Sequence, residues 1–183
     1  MSTLQNYISV MEKCKDTFIK KTADYGTSWR VYRSISVADQ IYIKARRIRN
    51  IQEGIIPQID DDIPSEFSGI INYCIIGLIQ LNINNEEPED LPVTEVVKHY
   101  ELISQQAKTL MLAKNNDYGE AWRDMSQEGK TDLILAKILR IKQILKNEGK
   151  TSVSEGIDAN FFDILNYAVF ALILKDERNR YKT

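Results

Sequence analysis

A chain of 183 residues is long enough to bury a substantial apolar core. Its net charge of −2 and pI near 5.6 exclude the broadly basic surface that duplex nucleic-acid binding needs, while leaving room for a local cluster of cations around a small anion. Cys14 and Cys74 lie among apolar neighbours without metal-like spacing, predicting packed thiols in a reducing, cytoplasmic setting, and the apolar runs 70–81 and 161–174 are too short and interrupted to predict a membrane span.

In chain order, Leu4, Tyr7, Ile8, Met11, Phe18 and Ile19 recur at helical spacings, which predicts an amphipathic helix over 4–22. Asp24-Tyr25-Gly26 should end it, because glycine accepts the positive φ of a helix C-terminus. A short piece carrying Trp29 follows. Ile41, Ala45, Ile48 and Ile51 then predict a second helix over 37–53, stopped by Gly54. The proline- and aspartate-rich stretch 54–64 reads as a loop. A third helix over 65–82 is apolar nearly all round and should be central, and Gly69 and Gly77 inside it predict close approach of neighbouring elements.

Residues 83–92, polar and proline-punctuated, read as a linker. After it the plan repeats, with helices expected over 93–115, 131–147 and 154–176. Ser154 is the expected N-cap of the last, and Lys98-His99-Tyr100 reads as an exposed run. Nothing alternates with period two, so the chain reads as all-α.

The repetition is literal. KTADYGTSWR at 21–30 returns as KNNDYGEAWR at 114–123. Continuing without a gap at an offset of 93, Asp39, Ile41, Lys44, Arg47 and Ile48 meet identical residues at Asp132, Ile134, Lys137, Arg140 and Ile141. At an offset of 94, Ile63, Phe67, Ile70, Asn72, Tyr73, Leu78 and Ile79 match Ile157, Phe161, Ile164, Asn166, Tyr167, Leu172 and Ile173. The expectation is a tandem duplication of a three-helix unit, copies 1–82 and 93–183, packed as a pseudo-twofold helical bundle in one compact unit.

The shared positions are rich in charge: Lys21/Lys114, Arg30/Arg123, Lys44/Lys137 and Arg47/Arg140. On the last helix Asn160, Asp163, Asn166 and Tyr167 form a polar stripe that an apolar helix tolerates only with partners. Two readings follow. In one, Asp163, Asn166 and Tyr167 make a buried network with Lys137 and Arg140, and the Asp-Tyr-Gly turn and Trp122 are a corner and a plug. In the other, the cations meet phosphate oxygens and an aromatic face bounds a base. His99 has no counterpart in the first copy, and no serine-nucleophile or phosphate-loop motif is present.

KNNDYGEAWR, TDLILAKILRIKQI and SEGIDANFFDILNYAVFAL together resemble the nucleotide modification associated domain 1 family, in both copies and more closely in the second. More remotely they are similar to all-α, MazG-type nucleoside triphosphate pyrophosphohydrolases. The family pattern falls on Lys114, Asp117, Tyr118, Gly119, Trp122, Lys137, Arg140, Glu155, Asp163, Asn166 and Tyr167. The resemblance implies a role in nucleotide metabolism and a nucleotide or other small phosphate ligand. On that expectation Lys114, Lys137 and Arg140 hold phosphates, with Arg123, Asp117, Asn166 and Tyr167 beside them. Tyr118 or Trp122 bounds the base, and Asp163 and Glu155 hold Mg²⁺ for hydrolysis. Asp163 falls on Gly69 and Asn160 on Glu66, so the first copy reads as degenerate, or the site as a composite of Glu66 and Asp163. The rival reading, open to a homodimer, is a non-catalytic helical assembly or interaction module. The paired glutamates of the pyrophosphohydrolases find only Glu86-Glu87, in the linker.

Overall fold

The structure, a computed structural model, describes residues 2–58, 62–83, 89–153 and 155–180. Ser154 and Glu86-Glu87 lie outside the described residues. Those described fold into six α-helices, α1 Thr3–Tyr25, α2 Ser34–Gln52, α3 Ile63–Asn82, α4 Val93–Tyr118, α5 Gln127–Lys146 and α6 Ile157–Arg180, with no strand among them. Short 3-10 turns, Ser28–Val31 and Ala121–Arg123, carry the two tryptophans.

Local chemistry sets the boundaries. Ser2 caps α1 through a reciprocal pair of hydrogen bonds with Gln5. Gly26 and Gly119, each at φ +61°, stop α1 and α4 one residue after Asp-Tyr. The expected second helices begin too late: α2 starts at Ser34, and α5 starts at Gln127 because the Ser126 hydroxyl accepts from Gly129 N at 2.9 Å. Thr131 and Lys130, expected at the start of α5, are instead fully buried one turn inside it. Tyr100, expected on an exposed run, is 1% exposed and packs on Phe18.

The second and third helices of both copies, α2, α3, α5 and α6, form the central bundle, and α1 and α4 lie across it. Each of these two outer helices packs on the last helix of the other copy as well as its own. Two hydrogen bonds repeat that exchange. Tyr7 Oη donates to Asn166 Oδ1 at 2.8 Å, and Tyr100 Oη donates to Asn72 Oδ1 at 3.1 Å. The amides then donate onward, Asn72 to the Cys14 carbonyl at 3.1 Å and Asn166 to the Ala107 carbonyl at 3.4 Å. Residue for residue these are equivalent positions of the two copies, the reciprocal contact pattern of a twofold interface within one chain.

α6 is longer than the apolar run 161–174 suggested, and by length and composition alone it could cross a membrane. Within the fold 72% of its most apolar window is buried, so the apolarity of α6 is that of a core helix. Gly77 lets α3 approach it: a Cβ there would stand 2.9 Å from ring carbons of Phe161. Gly77→Ala should therefore lower stability by about 1–2 kcal/mol in urea unfolding, overpacking outweighing the gain in helix propensity. Cys14 and Cys74 are buried free thiols, and burial pushes Cys14 up to about 11.

Candidate functional site

The side chains expected to act together in the second copy separate into five places. Lys114 on α4 and Lys137 on α5 each place Nζ 2.5 Å from an oxygen of Asp163 on α6. Asp163 is 7% exposed. Burial pushes its carboxyl pKa up, but hydrogen bonds and charge from the two ammonium groups outweigh burial and hold it below the usual carboxylate range. Tyr167, half-buried, is near enough to feel the charges of Asp163 and Lys114, and burial raises its phenol. Both carboxylate oxygens of Asp163 are thus occupied by cations, which suits an ion-pair clasp and does not fit a divalent metal ion.

Arg140 and Glu155, expected on phosphate and metal, meet elsewhere. They line a hollow of about 610 Å³ between the end of α5 and the start of α6. Both are exposed, and Glu155 does not join Asp163 in a donor set. Among the described residues no group of three or more His, Cys, Asp or Glu side chains could hold a metal ion.

Trp122 and Arg123 form a third group. The indole stacks on Phe170 with centroids 4.2 Å apart and 5° between planes, carries the Arg123 guanidinium 4.5 Å from its centroid, and is 6% exposed. A buried ring so packed cannot bound a base. Arg123 itself donates to Glu120, Glu177 and Thr3, tying α1 and α6 to the 3-10 turn. Asn166 is in the inter-copy clamp with Tyr7. Asp117 and Tyr118 are exposed at the end of α4, Tyr118 at 72%.

The first copy, read as degenerate, is the open one. A cleft of about 580 Å³ lies between the C-terminal half of α1, the Ser28–Val31 turn, Lys44 of α2 and the N-terminal half of α3. Five aromatic side chains line it among the described residues: Phe18, Tyr25, Trp29, Tyr32 and Tyr73. Three substitutions between copies open it. Ile76 stands where Phe170 stacks on the second tryptophan. Gly69 stands where Asp163 draws two lysines together. Thr22 stands in place of Asn115, which accepts the Trp122 indole N–H at 3.1 Å. Thr22 instead donates to the Phe18 carbonyl at 2.9 Å, and the buried Trp29 indole N–H has no partner.

The carboxylate of the first copy sits one turn earlier. Glu66, 4% exposed, accepts from Lys44 at 3.1 Å and from Arg47. Gly69 permits this, since a Cβ there would come within 2.7 Å of Lys44 Cε. Lys21, the equivalent of Lys114, consequently has no carboxylate opposite it and reaches the cleft unpaired among the described residues. Each buried carboxylate is bonded by cations of its own copy, so Glu66 and Asp163 do not form a composite site. Sequence identity had marked Lys21, Trp29 and Tyr73. What pointed to the first copy was smallness at Gly69 and Ile76, which alone reads as loss.

The family described as nucleotide modification associated domain 1 matches the chain twice, at residues 21–81 and 114–174. No curated protein and no solved structure matches it.

Proposed function

We propose, for a chain that belongs to the nucleotide modification associated domain 1 family and carries that domain twice, that it binds a nucleotide in the cleft of its first copy, in the cytoplasm. One observation carries the reading: the cleft joins the aromatic side chains of Tyr25, Tyr32 and Tyr73 to the ammonium of Lys21, which has no partner among the described residues. Its volume of about 580 Å³ is that of a small-ligand site. A heterocyclic base would lie against Tyr25 or the neighbouring rings of Tyr32 and Tyr73, whose centroids are 6.4 Å apart. Lys21 would meet a phosphate oxygen.

The second copy supports the site from behind. Its Lys114–Asp163–Lys137 clasp and Trp122–Phe170 stack close the corresponding space, which favours the assembly reading for that copy's shared residues. No hydrolytic step is drawn through Asp163, because both its oxygens are engaged by lysines.

Ile76→Phe tests the location, by placing in the first cleft the ring that fills the second. Titration calorimetry with nucleosides and nucleotides should show binding to the natural chain and at least a tenfold loss in this variant, whose thermal midpoint stays within a few degrees. Undiminished binding would move the site elsewhere, and no binding by the natural chain would end the nucleotide reading.

A further inference from the structure

We infer that the cleft engages a single phosphate group, so that nucleoside monophosphates bind better than nucleosides and no worse than the di- and triphosphates. The inference rests on the nucleotide reading above and adds the phosphate count.

The cleft is charge-poor. Among the described residues its lining holds two cations, Lys21 and Lys44, and two carboxylates, Asp62 and Glu66. Lys44 is already bonded to Glu66 at 3.1 Å, and Arg47 donates to the same carboxylate. Asp62 accepts from the backbone N–H and the hydroxyl of Ser65 at 2.9 and 2.7 Å, which holds it ionised as the N-cap of α3. What remains to meet an incoming anion is one ammonium, that of Lys21. A monophosphate brings about two charges at neutral pH, and one lysine together with solvent can balance them. A triphosphate adds further charge near Asp62 and Glu66, and among the described lining residues no second unpaired cation meets it, so like charges at such range repel.

The second copy shows how the count came about. There the carboxylate at Asp163 joins Lys114 and Lys137 in one cluster. In the first copy the carboxylate sits one turn back, at Glu66, which leaves one lysine, Lys21, unpaired at the cleft among the described residues, a count that suits one phosphate.

The test is a calorimetric series on the full chain, with a chelator present: for each common base, the nucleoside and its 5′-mono-, di- and triphosphate. The expected order is a gain of about tenfold from nucleoside to monophosphate, then no gain or a loss. Lys21→Ala, a change at an exposed side chain, should bring the monophosphate down about tenfold, to the level of the nucleoside. Affinity that climbs through the triphosphate, or a Lys21→Ala protein that keeps its preference for the monophosphate, would overturn the inference and leave nucleotide binding standing. Binding by no member of the series would remove the nucleotide reading and the inference with it.

Discussion

Asp163→Asn should cost about 3 kcal/mol of stability, measured by urea unfolding at neutral pH, while Lys114→Ala costs far less. Asp163 is the shared acceptor of two lysines, and its loss strands Lys137, whose side chain is 13% exposed, without a counter-charge. Breaking a buried pair from one side costs about 3–5 kcal/mol. The lower end applies because Lys114, at 45% side-chain exposure, can turn to water. The pH dependence carries a sign. The folded-state pKa of Asp163 is depressed, so its contribution is complete above the ordinary carboxylate pKa of about 4 and is lost as pH falls through the folded value below it. The stability gap between the natural chain and Asp163→Asn should therefore narrow under acid and be constant from about pH 5 to 8. A gap that stayed the same from pH 7 to pH 2 would show that the variant acts through packing and that the clasp contributes little.

Asn166→Ala should cost about 2–3 kcal/mol, the second large effect. It removes the acceptor of the Tyr7 phenol, which is 1% exposed and has no route to solvent, and it opens a small void on the apolar α6. Asn72→Ala, the equivalent change in the first copy, should cost less, since Asn72 is only half-buried at the edge of the cleft. A double-mutant cycle between Tyr7→Phe and Asn166→Ala separates the hydrogen bond from the void, with a coupling of about 1 kcal/mol expected. Zero coupling would mean that the two halves are held together by apolar contact alone. The cycle between Tyr100→Phe and Asn72→Ala should give a coupling of the same sign, because the two bonds are related by the duplication.

The shared residues thus divide by copy. In the second, Lys114, Lys137, Arg123, Trp122 and Asn166 are engaged with protein partners: two lysines on a carboxylate, an arginine on two glutamates, an indole on a phenyl ring, an amide on a phenol. In the first, the same framework is kept with smaller residues at Gly69 and Ile76, and Lys21 and the buried Trp29 indole N–H have no partner among the described residues. A duplicated unit can diverge in this way because each half supports the other's core, so one copy can give up packing that the other retains. The buried Lys130, whose Nζ donates to the carbonyls of Met125 and Ser126 at 2.7 and 3.4 Å, belongs to the same framework: it ties the start of α5 to the turn before it.

Helix type, the twofold repeat and the all-α class were legible in the residues themselves, because periodicity and identity at a fixed offset are local quantities that need no partner to be read. Glycine after Asp-Tyr ended two helices where expected, for the same local reason. The helix starts were misplaced where a serine cap, Ser126, or an extended residue before Ser34 set the boundary rather than the first apolar residue. The site was a different matter. Charge shared by both copies marked Lys114, Lys137 and Asp163 as a group, and they do meet, with each oxygen of Asp163 bonded by a lysine. Whether a lysine is satisfied or available depends on which carboxylate comes within about 3 Å of it across helices, and whether a tryptophan is stacked on a ring depends on the size of one residue on the helix opposite. Those distances arise only when six helices pack, so the tertiary structure alone decided that the emptier copy holds the cleft.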